Sequence, residues 1–426
     1  MHKHEENHLI ATSFDHRTYY ANLEKEANAK PVAKSRFGHL LLYGEVMGST
    51  NSLLEKNTRL LQCLPTGSVA LATSQVAGRG RGSNVWLSPR GSLMFSVVIR
   101  QSMALMQSAP VVFIQYLAAI AVVEAAKSFD HGRFSNLPLK LKWPNDIYAR
   151  DICKSYPTPS ASRAKQTRDQ YVKIGGVLVN STYNSHDYIM VCGIGLNLSN
   201  NSPTTSLNAV ASFYLNSKNS QSASEQQEAL SPQTPDKPFL PEAFLPAILT
   251  TFDALYTRFL CTGFDRGLQE NYYQHWLHDN QIISLDAEAK SEAANISTAW
   301  NSTITERNSG EHEASSINAR INGITSEFGL LVVEEVVPTT TKLEHSSSDG
   351  DNKNKNNDND NDSNVIDIAN NDEVEAARRP SGEEEEEEGE VLKAKKLEWK
   401  PTGQKWTLQS DGNSFDFFHG LIKRKL

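Results

Sequence analysis

Residues 75–96 read QVAGRGRGSNVWLSPRGSLMFS, and the rest of the chain is organised around them. Two short apolar runs, 69–72 before this stretch and 93–99 at its end, predict strands, because each is bounded by glycine, proline or polar residues. The stretch is therefore a connection between two strands.

Glycine and arginine alternate through residues 78–82 of this connection. Glycine allows unusual backbone dihedrals and a close approach to a ligand, and Arg79 and Arg81 supply forked cations that suit phosphate or carboxylate. The pattern indicates a loop that wraps around an anion and opens again, but a flexible basic loop or an RG-type RNA tract has the same pattern. Trp86 and Pro89, which follow directly, favour an ordered loop, because disordered tracts carry few aromatic residues.

Length and charge bound the class of protein. At 426 residues the chain has room for two or three domains. Its net charge is −8, but residues 339–390 contain 17 acidic and 5 basic residues, a net charge of −12, which leaves +4 on the remainder. A slightly basic remainder suits anionic ligands or acidic partner domains. It lacks a dense basic stripe, so we do not expect nucleic-acid binding.

The 4 cysteines, Cys63, Cys153, Cys192 and Cys261, have no paired spacing. This scatter argues against a disulfide framework or a zinc site and indicates a reducing compartment, for which we expect the cytoplasm. The polar N-terminus shows no apolar core of a signal peptide. The longest apolar run, 111–123, is shorter than the roughly 20 residues that cross a bilayer, so we expect a buried helix and no membrane span.

Apolar periodicity predicts the secondary structure. Before residue 280, strands are predicted at 39–43, 69–72, 93–99, 139–143, 172–180 and 188–198, and helices at 52–64, 110–129, 241–260 and 264–278. After it the pattern changes to short strands, at 282–285, 319–324, 330–333, 406–408 and 415–419. The second part therefore predicts a small unit like a β-barrel.

Polar and low-complexity stretches divide the chain into segments. We expect a flexible segment at 1–37, a first domain at 38–279 and a second domain at 280–426. Polar insertions are expected at 151–170, 200–238, 286–316 and 339–390. The last insertion is acidic and should be disordered, because it cannot bury enough apolar surface.

Several polar residues lie at predicted strand ends or helix starts, where sites are common. Ser49 or Thr50 is a helix N-cap, and either hydroxyl also suits a polar ligand group. Lys142 and Asp146 bracket a predicted turn, where they form either a surface ion pair or part of a site. Lys173 opens an apolar strand, and it either snorkels from a sheet edge or points its charge into a site.

Six motifs in order make the chain resemble the catalytic core of biotin–protein ligases, the holocarboxylase synthetase family. Each motif alone is weak, but the ordered set is specific. The resemblance runs from about residue 40 to residue 426 apart from the insertions, whose length is similar to fungal members. The motifs are GSTN at 48–51, QVAGRGR at 75–81, WLSPRG at 86–91, KWPND at 142–146, KIGGVLV at 173–179 and GIGLN at 193–197.

The resemblance implies an α/β (α+β) fold: a mixed sheet with flanking helices, as in class II synthetases, followed by a small SH3-like β-barrel. It also implies a two-step reaction, in which biotin and ATP form biotinyl-5′-adenylate and an acceptor lysine then takes the biotin and releases AMP. Implied acceptors are biotin domains of carboxylases of the acetyl-CoA carboxylase and pyruvate carboxylase type. We expect a monomer. Residues 1–37 show no helix-turn-helix pattern, so DNA binding is not implied.

The same resemblance implies the site residues. Contacts to biotin are implied for Ser49, Thr50, Asn51, Gln75, Gly78, Arg79, Arg81, Lys173, Gly176 and Gly193. Contacts to ATP or the adenylate are implied for Arg81, Trp86, Lys142, Asn145, Lys173, Gly195 and Asn197. Catalytic roles are implied for Lys173, Arg81, Arg79 and Asp146.

The chemistry of adenylate formation agrees with these residue types. A carboxylate must approach a polyphosphate, and Lys173, Arg79 and Arg81 would offset the repulsion, together with Mg²⁺ held by the ATP phosphates rather than by dedicated protein ligands. Asp146 either orients or deprotonates the acceptor lysine, whose ordinary pKa is about 10.4, or it only holds the turn. A non-catalytic regulator that binds biotin or biotinyl-AMP remains the alternative function.

Overall fold

The computed structural model describes residues 13–29, 35–152, 170–184, 187–200, 202–222, 238–285, 317–339, 398–409, 413–416 and 421–424. The α-helices in these ranges are α1 (His16–Ala29), α2 (Thr50–Glu55), α3 (Thr58–Cys63), α4 (Ile114–Gly132), α5 (Leu207–Ser222), α6 (Pro241–Thr262) and α7 (Arg266–Gln274). The first seven strands are β1 (Leu41–Met47), β2 (Val69–Gln75), β3 (Ser92–Ser102), β4 (Leu139–Lys142), β5 (Asp146–Arg150), β6 (Tyr171–Asn184) and β7 (Asp187–Asn197). The remaining strands are β8 (Ile282–Leu285), β9 (Ile317–Ile324), β10 (Leu331–Thr339), β11 (Glu398–Leu408), β12 (Asn413–Asp416) and β13 (Leu421–Arg424).

A seven-stranded mixed sheet forms the centre of the fold, in the order β1-β2-β3-β7-β6-β5-β4. Strands β1 and β2 are parallel, and every other neighbouring pair in this sheet is antiparallel. This sheet and its flanking helices confirm the predicted α/β fold class.

Helix α4 packs against the sheet, because its side chains between Ile114 and Ala126 are almost all apolar and buried. Helix α6 packs on α4, and the rings of Phe113 and Phe264 stack beside them with centroids 4.3 Å apart. The segment Val111–Gly132 is long and apolar enough to cross a membrane, but most of it is buried inside the protein. The predicted buried helix is therefore present here, longer than its apolar run.

Two stretches that were expected to lack structure contain helices. The prediction of a flexible segment at 1–37 is wrong for α1, because Tyr19 and Leu23 are buried on this helix, which packs on α6. The predicted insertion at 200–238 is wrong for α5, where Leu207 and Val210 are buried. In both stretches, a few buried apolar residues among many polar ones are enough to pack a helix against the rest of the protein. Nearly all of the other predicted insertions, and Cys153, lie outside the described residues.

Local turn chemistry explains two further differences from the predicted elements. The single helix expected at 52–64 is two helices, since the Asn57 side chain caps α3 by accepting a hydrogen bond from Leu60 N at 3.1 Å. Strand β5 is absent from the prediction, because Pro144 and the residues after it indicate only a turn. Strand β7, in contrast, confirms the strand that was predicted at 188–198.

A separate C-terminal β-sheet has the order β11-β10-β9-β8-β13-β12 and confirms the expected β-rich end of the chain. The loop between β9 and β10 is held by Gly329, whose carbonyl accepts hydrogen bonds from the Tyr116 hydroxyl at 2.7 Å and Trp143 Nε1 at 3.0 Å. Residues 337–401 form a separate compact unit, described only at 337–339 and 398–401. The domain boundary at residue 279 stays a prediction.

Candidate active site

A cleft of about 1100 Å³ lies along β3, β6 and β7 and is bounded by α2 and the glycine–arginine connection. Most of the predicted site residues line it. They are Ser49, Thr50, Asn51, Gln75, Arg79, Arg81, Trp86, Asn145, Asp146, Lys173, Gly176, Gly193, Gly195 and Asn197. Gly78 and Lys142 are not among the residues that line this cleft.

The glycine–arginine connection is a β-hairpin, which we call the flap (residues 75–88). Gln75 pairs with Ser88, and Arg79 pairs with Val85. Gly78 is buried inside the hairpin: its carbonyl accepts the Trp86 amide at 3.0 Å, and an added Cβ would collide with the Trp86 carbonyl. Gly78 therefore shapes the flap from within, which explains why it does not face the cleft.

The two flap arginines contact opposite sides of the cleft. Arg79 NH1 lies 2.6 Å from Glu55 Oε2 on α2. Arg81 NH1 lies 3.4 Å from Asn145 Oδ1, next to β5. The flap therefore spans the cleft from α2 to the end of the sheet.

Helix α2 is joined to the base of the flap by side-chain hydrogen bonds. Ser49 is the N-cap, as predicted, and its Oγ accepts from Ser52 N at 3.3 Å. The Thr50 amide donates to Gln75 Oε1 at 2.7 Å, and Gln75 Nε2 donates to Ser88 Oγ at 3.0 Å. One glutamine thus ties the helix to both ends of the flap.

Two serines in this region were not predicted as functional. Ser88 holds Gln75, and the hydroxyl of Ser96 lies 2.9 Å from that of Thr50. Ser96 had a visible signal, because it is a polar residue inside the apolar run 93–99 and is fully buried. Ser88 belongs to the WLSPRG motif, but a serine at this position does not by itself indicate a contact with Gln75.

Glycines of β7 alternate with apolar residues, so that Gly193, Gly195 and Asn197 share the face that lines the cleft. A Cβ at Gly193 would lie 3.0 Å from Asn51 Nδ2. A Cβ at Gly195 would lie 2.5 Å from Trp86 Nε1. The glycines therefore make room for side chains from α2 and from the flap.

A bulge between β5 and β6 places the central lysine. Ile147 lies opposite Gly175, but Tyr148 lies opposite Lys173, so one extra residue stands on β6. In a regular strand, residues three apart point to opposite faces of the sheet, but the extra residue of the bulge puts them on the same face. Lys173 and Gly176 can therefore both line the cleft. Lys173 Nζ lies 2.7 Å from Asp146 Oδ1 and 5.6 Å from the Trp86 ring centroid. Lys173 thus points into the cleft.

Lys142 has a different environment. It lies opposite Asp146 in the β4–β5 register, and its ammonium nitrogen lies 5.8 Å from the centroid of the Tyr148 ring. Leu139 and Leu141 are buried in the core, so the alternation of β4 places Lys142 on the opposite face, which it shares with Asp146, although Lys142 is not among the residues that line the cleft. Its implied contact to the nucleotide stays a prediction.

The charge of the cleft is mainly positive. Among the described residues that line it, the cations are Arg79, Arg81 and Lys173, and the anion is Asp146. A binding site with this balance favours an anionic ligand.

Two buried polar atoms on the cleft wall have no hydrogen-bond partner, and they are the donor Trp86 Nε1 and the acceptor Asn197 Oδ1. The amide nitrogen of Asn197 donates to Thr204 Oγ1 at 3.0 Å, and Thr204 donates to the Lys173 carbonyl at 2.8 Å. Thr204 also lines the cleft and was missed, because it lies in a Ser/Thr-rich stretch without a motif. Buried polar atoms are usually paired, so these two are available to a bound ligand.

Much of the chain is similar to known proteins. The model of the Biotin/lipoate A/B protein ligase family matches residues 43–197. Biotin–protein ligase from Schizosaccharomyces pombe is 33% identical over 331 residues, which is 77% of this chain and 44% of that protein. Biotin–protein ligase 2 from Arabidopsis thaliana is 33% identical over 263 residues, which is 61% of this chain and 65% of that protein.

The human Biotin–protein ligase is 30% identical over 252 residues, which is 59% of this chain and 29% of that protein. The chain therefore spans less than two thirds of the length of each of these relatives. The region matched by the family model holds the flap, Lys173 and Asn197. Residues 43–197 therefore match the Biotin/lipoate A/B protein ligase family, and the chain is similar to biotin–protein ligases.

Proposed function

We propose that this chain is a biotin–protein ligase, which joins biotin to ATP as biotinyl-5′-adenylate and then transfers the biotin to an acceptor lysine. The observation that carries the proposal is the convergence of Lys173, Arg79 and Arg81 on one cleft that also presents unpaired polar atoms. The names of the curated relatives support the choice of biotin as the acid and of a protein as the acceptor.

In the first step, the cleft has to hold two anions close together. Lys173 is 39% exposed and projects into the cleft from a rigid strand, so its ammonium group can meet the carboxylate and the α-phosphate without a large rearrangement. Each charge-assisted hydrogen bond contributes about 1.5–3 kcal/mol. Leu178, which pairs with Gly193 and so shares its face of the sheet, lines the same cleft and suits the aliphatic tail of the acid.

Magnesium belongs to the ATP substrate in this proposal. Within the described parts of the chain, no cluster of three His, Cys, Asp or Glu side chains is arranged to hold a metal ion. Mg²⁺ binds readily through phosphates with few protein carboxylates, and Asp146 is the acidic side chain on the cleft wall. We therefore assign Mg²⁺ to the phosphates.

The flap protects the adenylate from water in the interval between the two steps. Its hairpin pairing and its contacts to Glu55 and Asn145 place it across the cleft. Exclusion of water limits hydrolysis of a reactive acyl-adenylate.

In the second step, the acceptor ammonium must lose a proton. The Asp146 carboxylate lies on the cleft wall with 20% of its side chain exposed, so an acceptor lysine can reach it. We propose that it orients and deprotonates this lysine, and that the acceptors are biotin domains of carboxylases. We also propose a cytoplasmic location, in keeping with the free thiols of Cys63, Cys192 and Cys261.

Transfer to an acceptor domain tests the proposal. The purified full chain is incubated with biotin, ATP, Mg²⁺ and a carboxylase biotin domain, and the intact mass of the domain is followed. We expect one biotin per domain and no change when the acceptor lysine is replaced by arginine. Binding of biotin or of added biotinyl-5′-adenylate, with neither adenylate formation from biotin and ATP nor transfer to any of several carboxylase domains, would instead support the non-catalytic regulator.

A further inference from the structure

We propose that Glu55 is a latch for the flap: its ion pair with Arg79 holds the flap closed and so sets how long the adenylate stays bound. This inference rests on the proposed function and extends it to a residue outside all six motifs. Glu55 is the last residue of α2, and its carboxylate lies 2.6 Å from the Arg79 guanidinium.

The helix that carries Glu55 is a fixed support. Leu54, its neighbour, is completely buried in a core cluster with Ala70 and Val98 of the sheet. At the other end of the helix, the Thr50 amide holds Gln75 at 2.7 Å. A charge at the end of α2 is therefore anchored relative to the sheet.

Arg79, in contrast, belongs to the flap itself. Its backbone pairs with Val85 across the hairpin, and the next turn is closed by the Gly80 amide, which donates to Asn84 O at 2.8 Å. A contact that holds Arg79 in place therefore restrains the whole hairpin, including Arg81 at its tip. The contact of Arg81 with Asn145 is long, at 3.4 Å, so the ion pair is the shorter of these two side-chain contacts across the cleft.

Glu55 acts through Arg79 and is a positioning residue, because it is not among the residues that line the cleft. The side chains of Arg79 and Glu55 are 41% and 32% exposed, so solvent and salt weaken their attraction. An exposed pair of this kind changes an opening equilibrium by roughly two- to fivefold. The latch is therefore weak enough to open in each catalytic cycle.

The test measures escape of the adenylate from the full chain. Labelled biotinyl-5′-adenylate is formed on the protein from biotin and ATP, unlabelled adenylate is added, and loss of label is timed at low and high salt. For Glu55→Gln we expect escape to be roughly two- to fivefold faster at low salt. We also expect salt to speed escape more from the wild type than from this variant, because salt screens the contacts to the anionic adenylate in both proteins but the ion pair only in the wild type.

Two variants separate the latch from other effects. Glu55→Asp keeps the charge but shortens the side chain, so it should behave like Glu55→Gln if the contact itself matters. Glu270→Gln is the matched control, because it removes an exposed ion pair with Arg266 of 2.7 Å on α7, away from the cleft. It should leave escape unchanged.

Equal escape from wild type and Glu55→Gln at low salt would overturn the inference, and so would wild-type behaviour of Glu55→Asp. Failure of the proposed function gives a different result, since no adenylate would then form from biotin and ATP on the wild-type chain. The two failures are therefore distinguishable within one set of measurements.

Discussion

At the scale of single residues, Lys173 is the side chain on which the site depends most. It pairs with Asp146 at 2.7 Å and lies beside Trp86, so one ammonium group contacts both the sheet and the flap. Its neighbour Gly176 leaves the space that a side chain would fill, since a Cβ there would lie 3.4 Å from Asp146 Oδ1 and 3.6 Å from Lys173 Nζ.

Replacement of this lysine should stop the first step without unfolding the protein. For Lys173→Ala we expect adenylate formation to fall by at least roughly 10- to 100-fold, because one charge-assisted contact of about 1.5–3 kcal/mol is lost. Pyrophosphate release measures this rate, and thermal unfolding checks the fold. Lys405→Ala is a suitable control, since Lys405 is exposed on the C-terminal sheet and 3.9 Å from Glu334. Pyrophosphate release at the wild-type rate in Lys173→Ala would reject the role of this cation.

The motifs predicted which residues would lie together in the cleft, but not which partner each of them would contact. Gly193, Gly195 and Asn197 were recognisable from their alternation and their motif. The different partners of Arg79 and Arg81 could not be predicted, because the sequence of the flap does not show that Glu55 lies next to it. The position of Lys173 depends on a bulge, and nothing in KIGGVLV identifies the extra residue.

At the scale of secondary-structure elements, the flap differs most from its sequence-based interpretation. Glycine and arginine at 78–82 predict a pliable loop, but the structure pairs Gln75 with Ser88 and Arg79 with Val85. The pairing depends on the residues at the two ends of the connection, which a local pattern does not relate to each other.

Strand β1 also binds the segment before α1 through Glu45. This carboxylate accepts hydrogen bonds from Ser13 N at 2.6 Å, Ser13 Oγ at 2.8 Å and Tyr43 OH at 2.7 Å. These hydrogen bonds lower the pKa of Glu45 from 4.5 to about 2. The bond from the Ser13 amide has the largest effect, followed by the bond from Tyr43. A carboxylate with a lowered folded pKa adds stability above its unfolded pKa and loses it as the pH falls.

Glu45 should therefore add stability above about pH 4.5 and lose it as the pH falls towards about 2. We expect Glu45→Gln to be less stable than the wild type at pH 7, with a difference that shrinks across this window. Denaturant unfolding from pH 7 to pH 3 measures it. Tyr43→Phe should narrow the pH range over which this stability is lost, because one hydrogen-bond donor to the Glu45 carboxylate is removed. A wild-type minus Glu45→Gln difference that does not change with pH would contradict the assignment.

Helix α5 is held by a buried asparagine. Asn208 donates to Phe239 O at 3.0 Å and accepts from Phe239 N at 2.9 Å, so it joins α5 to the residues just before α6. Its sequence context, rich in serine and glutamine, conceals this role.

We expect Asn208→Ala to lower the free energy of unfolding by about 2–4 kcal/mol, because a buried backbone amide and carbonyl lose their partner. Chemical denaturation measures this loss. Asn322→Ala is the control, since Asn322 is exposed on β9 and bonds only to Glu334 in the described contacts, and it should change stability by less than about 0.5 kcal/mol. A loss for Asn208→Ala as small as that of the control would contradict the assigned role.

At the scale of the whole molecule, the resemblance carried by the six motifs implied the mixed sheet, and the short apolar runs after residue 280 predicted the separate C-terminal strands. It could not predict that Gly329 joins the loop between β9 and β10 to Tyr116 and Trp143, since these residues lie far apart in the chain. Long-range contacts of this kind leave no local pattern.

Removal of the acidic insertion should have little effect on catalysis. The described residues that line the cleft lie between Ser49 and Thr204 in the chain, and the cost of closing a loop changes only slowly with its length. We expect deletion of 340–390 to leave acceptor biotinylation within about twofold of the wild type. Deletion of α5 (Leu207–Ser222) is the contrasting control and should unfold the protein. A large loss of transfer in the folded 340–390 deletion would show that this segment takes part in acceptor binding.

The central claim is that a cationic flap and a fixed lysine let this cleft join a carboxylate to a nucleotide. The most direct test is native mass spectrometry of the purified full chain after incubation with biotin, ATP and Mg²⁺. The account predicts one biotinyl-5′-adenylate bound per chain, with release of pyrophosphate, and far less of this species on Lys173→Ala after the same short incubation. A wild-type chain that binds biotin and ATP but never carries the mixed anhydride would contradict it.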